Sequence, residues 1–256
     1  MKKIKYLSIL PLLLISSCSL VSNGYKYDPD GFNKRTEETT YFENITSVNL
    51  DWVSGKVKFE KLYGDDQRLC FSETNNNHPL YYKVNDNELS IRYVESGTSN
   101  KVINSLKKDI TIYVPEVFSD LVVSTINSDV TLDDFLDFEN AKFKGVNGKY
   151  TFGSYSSKTT SFDFVNCSLT CSTFDCVLKS KMGDPFVHDV KMDFVNSSAT
   201  LAINPSETIG YKVDFDGANN TFKSSLNDNQ YEYGQGNINI DFNGVNSQLT
   251  LKRWDE

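Results

Sequence analysis

The chain has 256 residues, a formal net charge of −8, and 39% hydrophobic and 13% aromatic content, enough for a substantial core in one all-β domain or two small ones. Residues 1–17 carry three lysines and no acid, so the chain beyond them is near −11. Such an acidic chain, with no basic cluster in its sequence, is set as a whole against nucleic acid and anionic membranes as charge-driven partners.

The first element reads as an export segment. Lys2, Lys3 and Lys5 form its positive start. Leu7 to Ile15 form an apolar run too short to span about 30 Å of hydrocarbon as a helix, so the segment is expected to be removed. Ile15-Ser16-Ser17-Cys18 resembles the bacterial lipoprotein box, which implies cleavage before Cys18 and diacylglycerol on its thiol. An ordinary secretory signal with an incidental cysteine is the plainer alternative. Lipid on Cys18 would hold the chain at the extracytoplasmic face of the cell membrane, stable anchoring needing two or more acyl chains. No second apolar segment long enough to cross a bilayer follows. The expected organisation is a signal peptide over 1–17, a flexible tether over 18–40 and one folded domain over 41–256. Gly24, Pro29, Gly31 and the mixed charges of Asn33 to Glu38 suggest the tether.

Alternation takes over next. Val48 to Trp52, Val57 to Phe59, Leu89 to Tyr93 and Ile110 to Val114 have period-two apolar spacing rich in β-branched and aromatic residues, which predicts half-buried strands. Asn100 to Lys107 predicts one or two helical turns. The second half repeats a unit: Met192-Asp193-Phe194-Val195-Asn196-Ser197 can be laid on Phe162 to Cys167, Val213 to Ala218 and Ile240 to Val245. Looser copies start at Val123 and Phe143. Each copy reads as a strand, a corner supplied by Asn or Gly, and a second strand. One unit cannot bury its apolar face alone, whereas stacked units make a continuous core. The expected fold is therefore all-β, a parallel β-solenoid like a single-stranded β-helix, with an antiparallel sandwich as the alternative.

Asp109-Ile110-Thr111-Ile112-Tyr113-Val114-Pro115, followed by Leu121 to Leu132 with Asn127-Ser128-Asp129-Val130, resembles the strand and coil of the bacterial putative-adhesin family of β-solenoid proteins, a domain of unknown function. The likeness runs over about residues 45–252, with Ser128 where that family usually has glycine. It implies a surface-exposed or envelope-associated solenoid.

Candidate chemistry is sparse. Asp163, Asp193, Asp214 and Asp241 recur at one repeat position and, as a carboxylate ladder, would suit Ca2+, which takes six to eight oxygens. Outward strand positions must in any case be polar. Asp133, Asp134, Asp137 and Glu139 form a second acidic group. Asn127, Asn147, Asn166 and Asn196 share the corner, where side-chain bonding and tolerance of left-handed geometry give them a structural role. Cys70, Cys167, Cys171 and Cys176 are read as buried thiols, with one disulfide or a metal site as alternatives. His78 and His188 have no Ser or Cys partner at a recognisable spacing, so no catalytic residue is named and no cofactor is expected. Tyr25, Tyr27, Tyr63, Tyr81, Tyr82, Tyr231 and Tyr233 lie in the tether or near turns, where rings stack on sugars, anchor a protein or cap the core. The expected function is non-enzymatic, a membrane-anchored adhesin or interaction scaffold facing a surface protein or polysaccharide. The alternative is a carbohydrate-binding or carbohydrate-active solenoid.

Overall fold

The computed structural model describes residues 20–21, 24–62, 68–75, 77–115, 117–133, 137–154, 161–168, 173–178, 188–203, 210–226, 228–234 and 238–253. The strands of the first half are β1 (Leu20–Val21), β2 (Gly24–Tyr25), β3 (Asn33–Lys34), β4 (Thr39–Phe42), β5 (Ser47–Lys61), β6 (Leu69–Glu73), β7 (Tyr81–Asn85), β8 (Glu88–Arg92) and β9 (Ile110–Val114). The second half adds β10 (Val117–Leu132), β11 (Asp137–Gly145), β12 (Tyr150–Ser154), β13 (Ser161–Ser168), β14 (Thr173–Leu178), β15 (His188–Val195) and β16 (Ser198–Ile203). It closes with β17 (Tyr211–Ala218), β18 (Thr221–Ser224), β19 (Glu232–Tyr233), β20 (Ile238–Val245) and β21 (Gln248–Arg253). The short helix α1 (Asn100–Ser105) precedes β9.

Two long strands organise the sheet. The first part of β5 pairs with β8 and its last part with β9, while β10 lies alongside nearly all of it. From these, one run of parallel strands is β8-β5-β10-β11-β13-β15-β20-β17 and a second is β9-β5-β10-β12-β14-β16-β21-β18. The burial pattern explains how both face one core. Val48, Leu50 and Trp52 are buried in the first part of β5, but Val57 and Phe59 in the second, so the inward parity switches between them. Leu121 and Val123 give way to Val130 and Leu132 in β10 in the same way. The sheet therefore curls into a half-barrel around shared apolar contents.

Gly55 makes the switch in β5. Its φ of +119° is closed to most L-residues, and a Cβ built there would overlap the carbonyl oxygen of Lys108. The same carbonyl accepts the indole N–H of Trp52 at 3.0 Å, and Lys108 N donates to Ser54 O at 3.1 Å.

The parallel β-solenoid is not what forms. The fold is all-β, but its sheet is mixed: β3–β7, β4–β6, β6–β9, β7–β8 and β17–β19 pair antiparallel. Strand order also departs from coil-on-coil stacking. The β20 and β21 pair lies between β15/β16 and β17/β18, and β5 lies between β10 on one side and β8 with β9 on the other. The physical reason is that the repeat encodes a strand, a corner and a strand, which fixes inward residues and turn geometry. Neighbour direction and stacking order depend on the connections, which the repeat does not contain.

The segment read as a tether joins the body from Gly24 onward. Tyr25 is fully buried, Arg35 is buried, and β3 and β4 pair with β7 and β6. Even Leu20 and Val21 pair with Tyr25 and Gly24 in a two-stranded ribbon.

Candidate functional site

Strand register decides which polar groups meet along the parallel run. Lys142, Asp163, Lys191, Asp241 and Asp214 follow one another on β11, β13, β15, β20 and β17. Asp193 belongs to the next row, beside Asn243 and then Asp216. The four expected aspartates are thus divided between two rows, and Lys191 separates Asp163 from Asp241. Asn243 Nδ2 donates to Asp193 Oδ1 at 3.2 Å, and Asn239 Nδ2 to Asp189 Oδ1 at 2.9 Å. Asp241 has its carboxyl pKa raised, first by partial desolvation; Lys191 opposes this, and Asp214, Asp193 and Asp216 add to it. Among the described residues no group of three or more His, Cys, Asp or Glu is arranged to hold a metal ion. In the second acidic group, Asp134 lies outside the described residues and Asp133 N bonds Phe59 O at 2.9 Å.

The corners form a second polar array. Asn147, Asn196, Asn219 and Asn246 all have φ between +50° and +57°, the left-handed region that asparagine tolerates. Val195, Val245 and Ala218 are in register before this corner, and Ser198, Gln248 and Thr221 after it. The side chains consequently stack: Asn219 Nδ2 donates to Asn246 Oδ1 and Asn246 Nδ2 to Asn196 Oδ1, both at 3.2 Å. Asn147 Nδ2 reaches Asn127 Oδ1 at the same distance. These bonds hold corner to corner.

Aromatic residues divide between core and surface. Tyr25 is buried, its hydroxyl accepting from Tyr93 N at 3.2 Å. Tyr27 is half-buried, its phenol pKa pushed up to about 12 mainly by desolvation. Tyr81, Tyr82 and Tyr233 are half-buried, and Tyr63 lies outside the described residues. Tyr231 is 47% exposed yet stacks on Phe222 with centroids 4.7 Å apart. Tyr41, 53% exposed on β4, lies under the Arg68 guanidinium at 4.8 Å.

A strongly perturbed pair, Lys108 and Tyr93, was not among the expected site residues. Lys108 is fully buried, with Nζ 3.1 Å from Glu73 Oε2 and 2.9 Å from His78 O, and it also donates to Tyr93 O. Glu73 Oε1 meets Arg35 Nε at 2.9 Å and accepts from Leu80 N at 2.7 Å. Trp52 and Tyr93 cover the ammonium with ring centroids at 4.9 and 4.5 Å. Desolvation lowers the Lys108 pKa to about 8, against the raising effect of Glu73 and with help from Arg35. Burial and the Glu73 charge raise the phenol pKa of Tyr93. Two carbonyl acceptors and the Glu73 ion pair surround the ammonium, so the cluster ties β6, β8 and the approach to β9 together as structure. A phase signal was present in sequence: Lys108 continues the inward parity of Ile110, Ile112 and Val114, and Glu73 that of Leu69 and Phe71.

Of the other expected groups, Cys70 is buried on β6 and His78 is exposed. Cys167, Cys176 and His188 lie on strands described by backbone alone, and Cys18 and Cys171 lie outside the described residues. Among the described residues no helix is long and apolar enough to cross a membrane.

No family model matches the chain. No curated protein matches it. Among solved structures it is similar to a putative cell adhesion protein from Clostridium sporogenes, at 16% identity and a TM-score of 0.45 over 84% of this chain and 98% of that one. It is also similar to a putative adhesin from Bacteroides fragilis, at 13% identity and a TM-score of 0.35 over 87% and 97% of the two chains. A putative adhesin from Parabacteroides merdae matches at 9% identity and a TM-score of 0.29 over 87% and 96%.

Proposed function

We propose that this chain is an exported bacterial lipoprotein, held at the extracytoplasmic face of a membrane by lipid on Cys18, whose β body serves adhesion or envelope interaction without catalysis. The observation that carries the reading is the order Lys2-Lys3, Leu7 to Ile15, Ser16-Ser17-Cys18, in which basic, apolar and small-residue elements meet a cysteine at the spacing of a lipoprotein box. A body with a continuous core and bonded corners supports a presenting role, since a rigid surface loses little entropy when it binds.

Cells expressing the full chain are fed a labelled fatty acid. Label on the wild type and none on Cys18→Ala is the expected result, and an unlabelled wild type overturns the anchor. The detergent-solubilised lipoprotein is then presented to glycan and host-protein arrays. Reproducible binding without turnover supports the adhesion reading. Turnover of a glycan transfers the chain to the carbohydrate-active class, and an absence of any ligand on both arrays removes the adhesion reading.

A further inference from the structure

The anchor and the body are closer than a tether would place them. Leu20 pairs with Tyr25 and Val21 with Gly24. Tyr25 N donates to Thr98 O at 2.9 Å, Gly97 N donates to Tyr25 O at 2.6 Å, and α1 packs on β2. A Cβ at Gly24 would meet Thr98 O at 2.5 Å, so the two segments lie in backbone contact. From Leu20 back to Cys18 is two residues, which span at most about 7 Å. Lipid on Cys18 therefore brings the 24–27 and 96–107 surface to headgroup depth, the polar layer on each side of the hydrocarbon being roughly 5–8 Å thick.

The charge there differs from the rest of the chain. Residues 19–27 and 96–108 contain Lys26, Lys101, Lys107 and Lys108 and no Asp or Glu, with the exposed Asp28 and Glu95 and the half-buried Asp109 at their borders, in a chain whose net charge beyond residue 17 is near −11. Lys108 is buried, whereas Lys26, Lys101 and Lys107 are exposed. No sequence window shows this grouping, because β2 and α1 are brought together only by the pairing of residues 24–25 with 97–98. The acidic rows of β15, β20 and β17 lie towards the other end of the parallel run, about 24 to 34 Å from β8 along the sheet at the usual strand spacing.

We propose that the Lys26, Lys101 and Lys107 face rests on the anionic phospholipid headgroups of the membrane that holds Cys18, so that the body rides directly on the leaflet with its acidic end away from it. The proposal rests on the lipoprotein reading. Each lysine at an anionic surface gains about 1 kcal/mol, which leaves it free about one-fifth of the time. The acidic remainder adds orientation, being repelled by the same leaflet.

The test uses the full lipoprotein, metabolically labelled with fatty acid, reconstituted into phosphatidylcholine vesicles with and without phosphatidylglycerol. An impermeant amine-reactive reagent is applied, and acylation of each lysine is read by peptide mass spectrometry. Lys149 and Lys223, both exposed and the latter on the terminal strand β18, are internal references. On anionic vesicles Lys26, Lys101 and Lys107 are expected to react roughly fivefold more slowly than the references. A full chain with about twenty Gly/Ser residues inserted after Ser19, reaching about 25 Å, should lose that protection. Lys101→Glu/Lys107→Glu should lose it at Lys26. Equal reactivity of all five lysines on a chain that carries the fatty acid overturns the proposal alone, and absence of the fatty acid overturns it together with the anchor.

Discussion

Replacing Glu73 by glutamine should do far more harm than removing the lysine it faces. In the wild type the Lys108 pKa falls from 10.5 to about 8, so the charged form is held in the fold at a cost of about 3 kcal/mol even with Glu73 3.1 Å away. Glu73→Gln keeps the shape but takes from the buried Lys108 ammonium the carboxylate it faces, and from Arg35 its partner at 2.9 Å. Breaking a buried pair in this way costs about 3–5 kcal/mol. Lys108→Met leaves Glu73 with Arg35 and Leu80 N, and places an apolar chain between Trp52 and Tyr93, so stability should stay within about 1 kcal/mol of the wild type. The pH dependence follows from the lowered pKa. Between about pH 8 and 10.5 the unfolded chain holds a proton that the folded chain has released, so this lysine makes stability rise with pH, by up to about 3 kcal/mol. Below pH 8 both states are protonated and the full cost is present. Urea unfolding followed by tryptophan fluorescence at pH 7, 9 and 10.5 measures both effects. Equal losses for Glu73→Gln and Lys108→Met, or a wild-type minus Lys108→Met difference that is flat across that window, would refute the reasoning.

Gly55→Ala forces a Cβ into Lys108 O at a φ of +119°, and should lower stability by at least about 3 kcal/mol, read as a lost or sharply shifted thermal transition in circular dichroism. Asn246→Ala, at φ +52° and in the middle of the asparagine stack, should cost about 1–2 kcal/mol by chemical denaturation; Asn246→Gly should recover the backbone part but not the side-chain bonds to Asn196 and Asn219. Tyr231→Ala removes a ring stacked on Phe222 at 4.7 Å and near Phe215 at 6.0 Å, and should cost about 1–2 kcal/mol, with hydrogen exchange accelerating first in β17 and β18.

Local periodicity predicted what is local. The alternation at Val48 to Trp52, Leu89 to Tyr93 and Ile110 to Val114 became strands with the expected faces inward, and Asn100 to Lys107 supplied the short helix. The corner was legible in part, because left-handed geometry selects the residue type: Asn147 and Asn196 take it as expected, whereas Asn127 lies inside β10 without it, and Asn219 and Asn246, not among the expected corners, take it too. Pairing direction was not legible: Tyr81 to Asn85 and Glu88 to Arg92 alternate whether their partner runs with them or against them. Residues 24–40 looked like a tether because their burial comes from a few distant contacts, such as Tyr25 with Tyr93 and Arg35 with Glu73, rather than from a periodic stripe. The ion cluster was hidden for a related reason. Arg35, Glu73 and Lys108 are far apart in sequence, and an in-phase charge on a strand is ordinarily discounted as an outward residue displaced by one position.

The antiparallel strands that make the sheet mixed sit where a parallel stack would otherwise end in open edges. A parallel run cannot terminate itself, since its last strand offers N–H and C=O groups to any chain that will pair with them. At the β17 and β18 end, Val213 N bonds Tyr231 O at 2.7 Å, Ser224 N bonds Asn229 Oδ1 at 2.7 Å, and β19 returns antiparallel along Tyr211 and Lys212. Gly217 N is closed by Asp216 Oδ1 at 2.7 Å, and the Tyr231 ring covers Phe222. At the other end β7 and β6 run antiparallel against β8 and β9, and β3 and β4 close over them. The segment at 33–42 thus ends the sheet beside β8 and β9, as the 228–233 segment does beside β17 and β18.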